Sequence, residues 1–63
     1  MEIVSATVIQ TAENLPPQIG DTYSLVRIGD AYHSNGFIFS KMEGNRLRMN
    51  LFRGDVILQI NEG

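Results

Sequence analysis

Arg46–Asn61 reads RLRMNLFRGDVILQIN, and the alternation within it decides the fold. Leu47, Met49 and Leu51 alternate with Arg46, Arg48 and Asn50. Beyond Arg53-Gly54, Val56, Leu58 and Ile60 alternate with Asp55, Ile57, Gln59 and Asn61. Successive side chains leave a strand on opposite faces, so this spacing describes two strands that each bury one face. A two-residue loop at Arg53-Gly54 predicts the facing pairs Leu51/Val56, Met49/Leu58 and Leu47/Ile60, which puts these apolar side chains on one side. A slip of one residue would give them polar neighbours, so the pattern itself sets the register. Arg53-Gly54-Asp55 also spells the integrin-binding tripeptide, but a turn glycine between polar residues is the simpler reading.

Upstream, Asn35-Gly36 is a strong hairpin signal, and Gly29-Asp30 and Gly44-Asn45 mark further turns. They separate predicted strands at Thr22–Ile28, Ala31–Ser34 and Phe37–Met42. Glu2–Thr11 is rich in β-branched residues and reads as another strand. It carries Val4, Ala6 and Val8 on one face and Ile3 and Ile9 on the other, which suits a strand covered on both sides or one that closes a barrel. Ala12–Asp21 holds both prolines and a glycine and reads as a surface loop, with room for a short helical turn at Thr11–Leu15. The expected fold is all-β: an antiparallel meander of five or six strands curled into a small barrel of SH3 or OB size, one domain over residues 1–63.

Two-residue loops at Asn35-Gly36 and Gly44-Asn45 pair His33 with Ile38, Ala31 with Ser40, Ser40 with Met49 and Ile38 with Leu51. On that register Val26, Ile28, Ala31, His33, Ile38 and Ser40 join the apolar face of the Arg46–Asn61 hairpin as the core. The opposite face then collects Tyr32, Phe37, Phe39, Phe52 and Ile57, with Lys41, Arg46, Arg48 and Asn50 beside them. A contiguous aromatic patch on a small domain implies that something covers it. The coverings are the chain's own N-terminal strand and proline loop, a protein partner such as a second copy, or nucleic acid stacked on the aromatics.

Composition narrows these choices. At 63 residues the chain forms one domain of marginal stability, and without cysteine no disulfide or thiolate metal site supplements its core. Association with further copies is the common remaining support. The apolar runs fall far short of a membrane span, and no signal-peptide pattern opens the chain, so a cytoplasmic location is expected. The net charge is −2. Acidic residues Glu2, Glu13, Asp21 and Asp30 face only Arg27 in the first half, while Lys41, Arg46, Arg48 and Arg53 face only Glu43 in the hairpin region. An overall acidic balance makes nucleic acid the lesser reading, because such binders carry a basic footprint.

Gly54-Asp55-Val56-Ile57-Leu58-Gln59-Ile60-Asn61, with Leu51 before it, resembles the Gly-Asp-x-Ile-Leu-x-x-Asn stretch of PDZ domains. The resemblance is confined to this one strand. The family's peptide-binding helix would have to follow it, so the peptide groove is not carried over.

Catalytic chemistry finds no constellation. His33 is the single histidine and reads as a hydrogen-bonded core residue, with no orienting partner at a recognisable spacing. Asp21, Asp30 and Asp55 each follow a glycine and read as turn residues. No catalytic residue, metal ligand or cofactor is expected. The expected function is a non-enzymatic binding module that acts through protein contacts and self-associates, in the manner of a small phage-encoded inhibitor or accessory factor. The alternative is a single-stranded nucleic-acid binder. Either would use Tyr32, Phe37, Phe39, Lys41, Arg46, Arg48, Asn50, Phe52 and Ile57.

Overall fold

The computed structural model describes residues 2–12, 14–51 and 54–62. Six strands, β1 (Glu2–Gln10), β2 (Thr22–Ile28), β3 (Ala31–Ser34), β4 (Phe37–Lys41), β5 (Arg46–Leu51) and β6 (Gly54–Ile60), form a closed antiparallel barrel in simple sequence order. The all-β barrel expected from the alternation is the observed fold. No helical turn forms among the described residues of the loop after β1.

Closure falls to β1. Its first part, Glu2 to Thr7, pairs with β2, and its second part, Ala6 to Gln10, pairs with β6. This stagger is how a sheet closes on itself without leaving an edge. A bulge between Val8 and Gln10 bends the strand where its pairing ends. Beyond the ladder, Asn61 fastens the seam. Its backbone N–H donates to the Ser5 carbonyl at 2.8 Å. Its carboxamide donates to Ser5 Oγ at 3.1 Å and accepts from Thr7 Oγ1 at 3.0 Å.

The interior holds Ala6, Val8, Leu25, Tyr32, Phe39, Leu47, Met49, Val56 and Leu58, with Val4, Tyr23, Phe37, Leu51 and Ile60 packed around them. The loop between β1 and β2 closes one end of the barrel. Ala12 and Pro17 are buried there and Leu15 packs against the core. Thr11 Oγ1 donates to the Pro17 carbonyl at 2.7 Å, which ties the loop into a compact plug. A side-chain carbon placed on Gly54 would lie 3.5 Å from that of Ala12, so the plug sits against the start of β6. The proline loop therefore covers a barrel end and does not form a second layer over an outer face.

The register departs from expectation at two joins, and only one of them changes which side chains face inward. β2–β3 and β3–β4 pair as the turns require: Val26↔His33, Ala31↔Ser40 and His33↔Ile38. Asn35 and Gly36 both have positive φ, 47° and 85°, the geometry of the tight hairpin turn that Asn-Gly favours. β5–β6 pairs Met49 with Val56 and Leu47 with Leu58, a shift of two from the expected partners, which keeps every side chain on its expected face. The expected turn residue Arg53 lies outside the described residues. Between β4 and β5 the shift is one. Met42 N–H donates to the Arg46 carbonyl at 2.8 Å, so Glu43, Gly44 and Asn45 make a three-residue loop in place of the two-residue Gly44-Asn45 turn. Ser40 then faces Arg48 and not Met49.

One residue reverses the faces of β2, β3 and β4 relative to β5 and β6. Tyr32 and Phe39, expected outside, lie in the core at 5% and 2% exposure. Val26, Ile28, Ala31, His33, Ile38 and Ser40, expected inside, lie outside, with Ile28 and Ile38 at 59% and 54%. The volumes favour this choice, because two aromatic rings bury far more apolar surface than histidine and serine would.

Candidate functional site

The expected aromatic and basic face does not exist as one surface. Tyr32 and Phe39 are interior, and Phe37 is half-buried against the core. Phe52 lies outside the described residues. Arg46, Arg48 and Asn50 do share the outer face of β5, and Ile57 pairs with Arg48 across the β5–β6 ladder. Arg48 Nη1 stands 4.0 Å from Asp55 Oδ2 on the same face. Lys41 pairs with Leu47 and leaves this group for the end of the barrel. A base-stacking platform on this sheet would need the aromatic rings outside, and Tyr32 and Phe39 are buried.

The outer face of β1–β4 carries a different surface. Cross-strand pairing places Ile3, Val26, His33 and Ile38 in one row, and Ile28, Ala31 and Ser40 in the next. Ile3 is 68% exposed, and with Ile28 and Ile38 it makes three isoleucines more than half exposed, on β1, β2 and β4. No charged side chain interrupts these two rows on β1–β4. His33 stands at their centre, half-buried between Val26 and Ile38. The histidine expected in the core is thus an outer-face residue. No cluster of metal-ligating side chains occurs among the described residues.

Neither row was legible as a surface, because the register that put Tyr32 and Phe39 outside put Val26, Ile28, Ala31, His33, Ile38 and Ser40 inside. One signal pointed the other way: Phe37, Phe39 and Tyr32 outweigh Ile38, His33 and Ala31 as core material. On β1 the alternation put Ile3 and Ile9 on the face opposite Val4, Ala6 and Val8, and did not say which face is outer.

Charged groups collect at the barrel end opposite the proline loop. Arg27 Nη1 bonds Glu2 Oε1 at 3.2 Å, and Arg27 Nε donates to the Gly29 carbonyl at 3.2 Å. Arg27, Asp30, Tyr32, Ser40 and Lys41 line a cleft of about 370 Å³ at this end. Asn45 Nδ2 donates to Glu62 Oε1 across the neighbouring turn.

Comparisons with family models, with curated proteins and with solved structures each found no match to this chain. The PDZ-like stretch is β6 of a six-stranded barrel. No helix among the described residues is long and apolar enough to cross a membrane.

Proposed function

We propose that the protein is a non-enzymatic binding module whose contact surface is the outer face of β1–β4, and that a second copy of the chain is its first partner. The observation that carries this reading is the exposure of Ile3, Ile28 and Ile38 on the outer faces of β1, β2 and β4. Apolar surface of this kind on a small domain marks an interaction site. The strands close into a barrel, with β4 and β5 joined by two residue pairs, so contact is made mainly through side chains. Two features favour a copy of the same chain. The two rows carry no charged side chain on β1–β4 to repel their own image, and a two-fold axis along the strands between β2 and β3 would lay Val26 of one copy on His33 of the other.

Sedimentation velocity of wild type and Ile38→Lys tests the reading. The wild type is expected to sediment as a dimer or larger and the variant as a folded monomer. A wild type that stays monomeric at about 1 mM, where even a contact worth about 4 kcal/mol would be populated, contradicts self-association.

A further inference from the structure

The inward-facing rows do not stay apolar to the open end of the barrel. Along β2 they run Tyr23, Leu25, Arg27, and along β4 they run Phe37, Phe39, Lys41, with Tyr32 between them on β3. Two strands therefore finish their core rows with a cation, on either side of a tyrosine that is 5% exposed. Asp30, from the β2–β3 turn, and Ser40 complete the walls of the 370 Å³ cleft. That volume lies at the small end of the range for ligand pockets, about 300–1,000 Å³.

The cations are not equivalent. Arg27 is held by Glu2 and by the Gly29 carbonyl, so its guanidinium is oriented before any ligand arrives, and Nη2 is the nitrogen that neither contact uses. Lys41 takes part in none of the ion pairs among the described residues. Two cations beside Tyr32 offer several charged donors to one small space. A tetrahedral phosphate presents enough oxygens to use such a set, and charge-assisted bonds to it are the strong kind. Asp30 lies in the same cleft and would repel a bare anion. It would accept a bond from an amine on a ligand that carries one beside its phosphate.

We propose that this cleft binds a small phosphate monoester bearing an amine, with Lys41 and Arg27 on the phosphate and Asp30 on the amine. This site opens at the barrel end and touches the isoleucine rows only at Ser40.

Amide-resolved NMR titration of the whole chain at low salt tests it, with inorganic phosphate and phosphoethanolamine as the probes. Saturable shifts confined to residues 27–32 and 40–42 are expected, with phosphoethanolamine the tighter probe. Lys41→Gln should weaken both by about tenfold, the worth of one charge-assisted bond. Asp30→Asn should remove the preference for phosphoethanolamine and keep phosphate binding. No saturable shift up to about 10 mM, where a contact of roughly 3 kcal/mol would show, overturns the proposal. So does equal affinity for the two probes in wild type, or unchanged binding in a folded Lys41→Gln chain.

Discussion

Tyr32 and Phe39 are cross-strand partners in the β3–β4 hairpin, and both point into the barrel. Their neighbours His33 and Ile38 are likewise partners and point out. This one hairpin fixes what is core and what is surface on half the sheet.

Phe39→Ala should remove about 3–5 kcal/mol of stability. A chain of this length holds roughly 3–9 kcal/mol in total, so the variant should be largely unfolded by circular dichroism at 25 °C. Ile38→Thr, on the adjacent outward position, should shift the isolated monomer by no more than about 0.5 kcal/mol. Equal damage from both substitutions would contradict the face assignment.

The loop Glu43-Gly44-Asn45 sets that assignment. Deleting Glu43 shortens it to a two-residue Gly44-Asn45 turn between the same flanking residues, so Met42 still faces Arg46 and the observed register is kept. The expected result is a cooperative thermal transition with Phe39 still buried. Loss of that transition would show that the third loop residue is itself needed to hold β4 against β5.

How far the fold was legible follows from the same residues. β5 and β6 have one apolar face each, so a misplacement of two residues at their turn changed no side chain's side. β3 and β4 are apolar on both faces, with Ala31 against Tyr32 and Ile38 against Phe39, and alternation alone cannot choose between them. Gly44 fits either loop length, because both need a residue with positive φ and it has φ 67°. The strands, their order and most pairings were therefore readable. The surface was not, since it hung on a single loop residue, and with it went the candidate site.

Asn61 closes the barrel seam through Ser5 and Thr7, contacts that its place at the end of an alternating strand does not announce. Asn61→Ala keeps the backbone bond and removes both side-chain bonds. A loss of about 1 kcal/mol is expected, which at this size lowers the melting temperature by roughly 4–8 °C. A melt unchanged within error would mean that the ladder alone closes the barrel.

The proline-loop plug should open independently of the barrel. Thr11→Val deletes the hydroxyl that holds the Pro17 carbonyl and should cost about 1 kcal/mol. Hydrogen exchange should quicken at residues 18–21 while the amides of β5 keep their protection. Uniform loss of protection across all strands would show that the plug and barrel open as one unit.

The central claim is that β3 and β4 turn their aromatic residues inward, and nuclear Overhauser contacts test it most directly. Ring protons of Phe39 should show contacts to methyl groups of the core cluster, and the backbone of Ser40 should lie opposite Arg48. Contacts from Ile38 to those core methyls, with Ser40 opposite Met49, would contradict the account.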